Sequence, residues 1–251
     1  MTTMTSPHEI SCRLDHELEH GKKLVSEGPE SVWNWSSSAG RKRADRRASY
    51  LAKVGRISLS DKVLEIGCGT GLFTRKVREI TGAHIIATDI SEDLLQIARK
   101  EFPAGEFLLA DAVDTPFCEG EFDVVFGSSI LHHLDFKKTQ NEILRVLKSG
   151  GRMVFAEPNM LNPQIFIQKN VPFIKKALGD SPDETAVVRW RLARMMSQAG
   201  FVNIRIFPYD FLHPATPAWL IPLVDGLGRT AEKIPIIREI AGSVIIYGEK
   251  P

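Results

Sequence analysis

Residues Val63 to Phe73 read VLEIGCGTGLF, and this stretch limits the fold more than any other in the chain. An apolar run ends on Glu65, the chain turns through Gly67, Gly69 and Gly71, and a helix is expected from Leu72. Glycine at every second position keeps side chains off the turn, so a ligand can lie against the backbone. The N–H groups at the start of a helix lack helical partners and receive carboxylate or phosphate. Strand, bare turn and helix in that order make a cradle of nucleotide type. The spacing excludes two such cradles. A dinucleotide fingerprint needs a small residue where Leu72 stands, and a phosphate-binding P-loop needs a Gly-Lys-Ser/Thr that does not follow.

Further landmarks arrive in order. The strand-like HIIATD (His84 to Asp89) ends in an acid 18 positions after Gly71. In an open α/β sheet such an acid lies near a bound ribose. EFLLADAVDTPF (Glu106 to Phe117), FDVVFGSSILHHL (Phe122 to Leu134) and EILRVLKSGGRMVFAEPN (Glu142 to Asn159) follow. Strands are expected at 62–66, 84–88, 106–110, 122–127 and 151–157, and helices at 71–80, 91–101, 137–148 and 185–199. This alternation implies parallel strands, right-handed crossovers and helices on both faces. VNIRIFPY (Val202 to Tyr209) and SVIIYGEK (Ser243 to Lys250) offer two more strands. Residues 11–27 and 41–56 read as helical, after a frayed tail of ten residues.

Four motifs in this order resemble the class I S-adenosylmethionine-dependent methyltransferases, in particular the broad group that contains the menaquinone and sterol enzymes. The resemblance is specific over residues 60–160, topological over 185–250 and weak before residue 56. It implies an α/β fold with a doubly wound, Rossmann-like sheet of seven strands, six parallel and one antiparallel. It divides the chain into an N-terminal helical lid segment, 1–56, and a methyltransferase domain, 57–251, with insertions at 158–184 and 210–241. Both insertions are apolar and proline-rich, and long loops in a compact domain usually carry function.

The resemblance also implies S-adenosylmethionine as cofactor, S-adenosylhomocysteine as product, and a set of contacts. Glu65 meets the methionine amino group, directly or through water. Gly67, Cys68, Gly69 and Gly71 form the cradle, and Asp89 holds the ribose hydroxyls. Ile90 packs on the adenine, Asp111 and the Ala112 backbone meet its edge, and Ser128 lines the methionine end. Plainer alternatives stand beside these. Glu65 can be a solvated strand-end acid and Asp111 a turn cap. Cys68 reads as a small turn residue, since no base adjoins it.

The acceptor side is less defined. His132 and His133 follow the fourth strand, where the family places residues near the transferring methyl, and a neutral imidazole can take a proton from an acceptor. Packing or capping is the competing role for either ring. Glu157, closing the fifth strand, reads equally as a catalytic carboxylate or as a partner for the neighbouring loop. RKRADRR (Arg41 to Arg47) is read as a solvated helical face in preference to an anion site. Trp33 and Trp35 are read as a helical cap in preference to a closure over ligand. HELEH (His16 to His20) matches H-E-x-x-H, but no third ligand follows in a recognisable pattern, and no metal is expected.

Composition narrows the acceptor. A net charge of +1 gives no general pull toward nucleic acid. Three scattered cysteines suit a reducing compartment, and the start of the chain lacks the apolar core of a signal peptide, so a cytoplasmic protein is expected. Gly127-Ser128-Ser129-Ile130 stands where DNA amino-methyltransferases carry N/D-P-P-Y/F, and no Pro-Cys nucleophile is present there. The expected function is methyl transfer to a small or medium-sized, partly hydrophobic acceptor such as a lipid or quinone. RNA or protein methylation, and a catalytically silent cofactor-binding protein, are the alternatives. Peripheral membrane contact, the atom methylated and the oligomeric state stay open.

Overall fold

The central strands are apolar on both faces, the pattern of a sheet covered by helices on each side. The computed structural model describes residue 19, residues 21–170 and residues 188–251. Its strands are β1 (Lys62–Ile66), β2 (His84–Asp89), β3 (Glu106–Leu109), β4 (Phe122–Ser128), β5 (Leu147–Pro158), β6 (Val202–Tyr209) and β7 (Ser243–Glu249). They form one sheet in the order β3-β2-β1-β4-β5-β7-β6. β7 runs antiparallel to both β5 and β6, so the other six strands are parallel. The expected doubly wound sheet of six parallel strands and one antiparallel strand is what the chain forms.

The helices are α1 (residues 21–27), α2 (Pro29–Val32), α3 (Ser38–Val54), α4 (Leu72–Thr81), α5 (Glu92–Glu101), α6 (Phe136–Val146), α7 (Pro163–Asn170), α8 (Arg189–Ala199), α9 (Ile221–Ala231) and α10 (Pro235–Arg238). Local chemistry sets their ends. α4 starts after Gly71 and stops at Gly82, both left-handed, and the Gly82 N–H donates to the Arg78 carbonyl. α5 is capped by the Ser91 hydroxyl, with acids in its first turn and bases in its last.

Neighbouring strand residues point to opposite faces and feed two cores. Leu64, Val125, Ile143, Leu192 and Met196 join one core, on the side of α6 and α8. Val63, Val124, Ala48, Leu51 and Val77 join the other, on the side of α3 and α4. Burying a leucine such as Leu51, fully excluded from solvent, stabilises by about 1.5–3 kcal/mol.

Two features differ from the sequence expectation. β5 begins at Leu147, which pairs with Phe122, so α6 ends at Val146 and the strand starts four residues before the expected 151. Residues 163–170, 221–231 and 235–238 are helical where the sequence suggested only long loops. Proline opens or nearly opens each, where its missing N–H costs nothing. Of the helix expected over 11–27, residues 11–18 and 20 lie outside the described residues, as do the HELEH match apart from residue 19 and residues 171–184 of the first insertion.

Candidate active site

The glycine turn sits at the carboxyl end of β1. Gly67, Gly69 and Gly71 all have positive φ, at 68°, 54° and 76°. A Cβ on Gly67 would come within 2.3 Å of Ile130, on Gly69 within 2.9 Å of the Trp33 ring, and on Gly71 within 2.9 Å of Phe107. The glycines are therefore required by the protein's own packing as well as by the turn. The Cys68 N–H donates to the Thr88 carbonyl at 2.9 Å and ties the loop to β2. Burial pushes the Cys68 thiol well up, in keeping with a turn residue and not a nucleophile.

Asp89, closing β2, faces this turn. Its Oδ2 accepts from the Gly69 N–H at 2.8 Å and its Oδ1 from the Ser91 N–H at 2.9 Å. Burial pushes its pKa up, against these backbone donors and the nearby His133, which favour the ionised form. A cavity of about 490 Å3 opens beside it, lined by Ile90, Ser91, Leu109, Asp111 and, from α1, Lys22. It lies at the carboxyl ends of β2 and β3, where the sequence expectation puts the adenine. Asp111 Oδ1 also accepts from the Val113 N–H at 3.0 Å, so this side chain shapes its own turn. Ala112 packs into the core.

Glu65 is not the solvated acid of the plainer alternative. It is 1% exposed, and its carboxyl accepts from the Thr74 hydroxyl in the first turn of α4. Burial pushes it up to about 8, against the Thr74 hydrogen bond and helped by the charge of Asp89. A buried carboxyl in this state has unused capacity for a cation, which fits the ammonium of a methionine moiety. Turn, buried acid, strand-end acid and a cavity with room for an adenine thus fit S-adenosylmethionine along one edge of the sheet.

On the other side of β4 the chain brings His132 and Glu157 together. His132 Nδ1 lies 2.7 Å from Glu157 Oε2, with both side chains buried. Glu157 Oε1 accepts from the N–H groups of Ile130 and Leu131 at 2.9 and 3.0 Å. Burial pushes the Glu157 carboxyl up, but His132 and the two backbone donors outweigh it and hold the carboxyl low. An ionised Glu157 only accepts, so Nδ1 is the donor and Nε2 carries the imidazole lone pair. The His133 ring packs on His132 with centroids 4.3 Å apart. Glu157 is thus a hydrogen-bonding partner of the neighbouring loop, and the same carboxyl group holds the His132 ring.

Arg47 is the main residue that the sequence reading missed. It is 3% exposed, and its Nη1 donates to Ser128 and Ser129 at 3.0 and 2.7 Å, its Nη2 to Ser243 at 3.0 Å. Its guanidinium lies 5.0 Å from the Trp35 ring centroid and 5.9 Å from that of Phe73. Ser128, expected at the methionine end, is thus held from α3, and Ser129 is kept in a left-handed conformation at φ 57°. Arg43 pairs with Asp210 at 2.8 Å and Arg46 with Glu232 at 2.5 Å. The reading of RKRADRR as a solvated face is corrected: three of its five cations turn inward to clamp the segment between β6 and β7. The signal was present, since Ala44, Arg47, Ala48 and Leu51 follow i, i+3, i+4, i+7 along the buried stripe.

The N-terminal segment covers the cradle. Trp33 lies over Gly69, the Thr70 hydroxyl donates to Glu30, and Trp35 meets Phe73 edge-on at 5.5 Å. Both tryptophans are half-buried, Trp33 against the glycine turn and Trp35 against Arg43 and Arg47 of α3 and Phe73 of α4. Among the described residues no group of three or more His, Cys, Asp or Glu is placed to hold a metal.

Comparison with known proteins agrees with this geometry. A family model described as a methyltransferase domain matches residues 64–155. The chain is 29% identical over 220 residues to a demethylmenaquinone methyltransferase of Clavibacter sepedonicus, covering 85% of this chain and 77% of that one. It is 31% identical over 137 residues to an O-methyltransferase of Penicillium expansum, covering half of each. A solved S-adenosylmethionine-dependent methyltransferase of Thermotoga maritima superposes with a TM-score of 0.65 at 20% identity, covering 93% of this chain and 99% of that one. Motif order and strand order agree with the match of residues 64–155 to a methyltransferase domain.

Proposed function

We propose that the enzyme methylates a small or medium-sized acceptor with apolar surface, lipid- or quinone-like, and that His132 takes the proton the acceptor gives up. The observation that carries this reading is the buried His132–Glu157 pair at the carboxyl ends of β4 and β5. S-adenosylmethionine, when bound, supplies a methyl group on a good leaving group, so the protein's task is largely placement. Asp89 holds the ribose, Glu65 the methionine ammonium, and Ile90 and Asp111 the adenine. Ser128, fixed by Arg47, lines the methionine end. Glu157 orients the His132 ring and stabilises the imidazolium formed on proton uptake.

The apolar acceptor rests on the cover over this site. In our reading residues 1–56 and the insertions at 158–184 and 210–241 form that cover on the domain of 57–251. Its described parts are joined: Asn159 donates to the Glu239 and Ala241 carbonyls, and Ser37 to the Pro214 carbonyl. The likeness to a demethylmenaquinone methyltransferase supports a quinone-like acceptor. No metal enters the reaction, and we place it in the cytoplasm, in keeping with unpaired Cys68 and Cys118.

The test is incubation of enzyme and cell extract with S-adenosylmethionine labelled in the methyl group. Label in the organic-solvent layer is expected and yields a product to identify. Label in acid-precipitated RNA or protein would overturn the reading, and no transfer at all would favour a silent binding protein.

A further inference from the structure

We propose that the outward face of residues 219–237 docks the enzyme on an anionic lipid surface. The inner face of α9 is anchored: Ile221 and Val224 pack with Leu212 and Ala39, and Gly228 lies against Phe211. Its outer face is apolar. Trp219, Leu223 and Leu227 stand at i, i+4 and i+8 and are 78%, 59% and 63% exposed, and Ile236 beyond the helix is 85% exposed. A soluble helix normally turns a polar side outward; this one carries exposed leucines there as well. A contiguous apolar stripe of this kind marks a surface that something covers.

Charge around the stripe favours a bilayer as the cover. The acids of this segment are turned inward and neutralised: Asp225 by Lys42 and Arg229, Glu232 by Arg46, Glu239 by Arg189. The cations face out, with Arg229, Arg238 and Lys42 at 40–55% side-chain exposure and Lys233 exposed. Tryptophan and leucine at the tip with cations at the rim is the pattern of an interfacial helix on anionic lipid. No helix among the described residues is long and apolar enough to cross a membrane, so the contact is peripheral. The segment leaves β6 at Asp210, which Arg43 holds, and returns at Ser243, which Arg47 holds. Docking would therefore set the acceptor side of the sheet against the bilayer. That purpose rests on the apolar-acceptor reading; the docking itself does not.

The test is co-sedimentation of the full chain with phosphatidylcholine vesicles, with and without phosphatidylglycerol. The wild type is expected to bind the anionic vesicles and to release at high salt. The triple variant Trp219→Ser, Leu223→Ser, Leu227→Ser should partition at least about tenfold more weakly while cofactor affinity is retained. Lys233→Glu should weaken binding several-fold on anionic vesicles only. Equal binding of wild type and triple variant, or no wild-type binding to either vesicle, would overturn the proposal. A wild-type dimer in sedimentation velocity that the triple variant reduces to monomer, without vesicle binding, would assign the face to a second copy and overturn it as well. Vesicle binding with label in macromolecules would sink the acceptor reading alone; label in the organic layer without vesicle binding would sink docking alone.

Discussion

The two sides of β4 are built by different means. Toward β1, β2 and β3 the cradle is made of backbone: a left-handed glycine turn, a helix start and two strand-end acids, all within residues 65–89. Toward β5 and β7 the site is made of side chains from distant segments. Arg43 reaches Asp210 across 167 residues, and Arg47 reaches Ser243 across 196. A backbone cradle tolerates little variation and serves any methyl acceptor. A side-chain clamp can be re-cut for each acceptor without touching the cofactor. If this division is real, substitutions on the two sides should separate cofactor affinity from turnover.

The largest separation is expected at the dyad. Glu157→Gln keeps an acceptor for the Ile130 and Leu131 N–H groups but removes the charge behind His132. Turnover should fall by about 10²–10⁴-fold with cofactor affinity nearly unchanged, the usual range for loss of general base catalysis. The acid limb of the kcat pH profile should move to lower pH as the His132 imidazolium loses its carboxylate partner, a shift that a purely structural role would not produce. Stability should respond too. Glu157 is held low in the fold, so its stabilisation is present above the ordinary carboxylate range and is lost as pH falls through its depressed value. A Glu157→Gln variant with unaltered turnover would remove the base assignment.

Asp89→Ala should do the opposite. Loss of a charged partner for two ribose hydroxyls should weaken cofactor binding about 100-fold by calorimetry. Asp89 also accepts from Gly69 and Ser91, so a lower melting temperature is expected in addition. An affinity like that of the wild type would break the ribose assignment.

The difference between the sides also explains what could be read in advance. The sheet, the turn, Asp89 and the position of Glu65 were legible because each lies in one short motif whose spacing constrains it. His132 and Glu157 were legible as candidates, but their pairing was not, since it joins the ends of two strands 25 positions apart. Arg47 was hidden in a run of charges. Its role depends on Trp35, Phe73 and three serines that only the closed sheet brings together. The helices in 163–170 and 221–231 were hidden because prolines and apolar residues there mask any helical period.

Glu65 offers a subtler test of the cofactor side. Its folded value near 8 lies above the ordinary carboxylate value, so its contribution to the cofactor-free fold is full below that ordinary value and is lost as pH rises through about 8. An ammonium placed beside it favours the ionised form, and binding then releases a proton. Cofactor affinity should tighten by roughly tenfold per pH unit between about pH 6 and 7.5, below the titration of a free α-amino group. Glu65→Gln should flatten that slope. A slope that persists in the variant would move the ammonium contact to another acid.

The smallest effect probes the far edge of the acceptor side. Trp219 is 78% exposed and touches neither the glycine turn nor the dyad, so Trp219→Ala cannot act on the cofactor through packing. If the segment between β6 and β7 serves the acceptor, the variant should raise the acceptor KM several-fold and leave cofactor affinity within error, since one exposed aromatic contributes about 1–2 kcal/mol to an apolar contact at most. The comparison makes the outcome decisive in a way the number alone is not. Equal losses for acceptor and cofactor would mean that the clamp through Arg43, Arg46 and Arg47 transmits strain from this segment into the Ser128 turn. The two sides of β4 would then be one mechanical unit, and specificity could not have been re-cut on one side without a cost on the other.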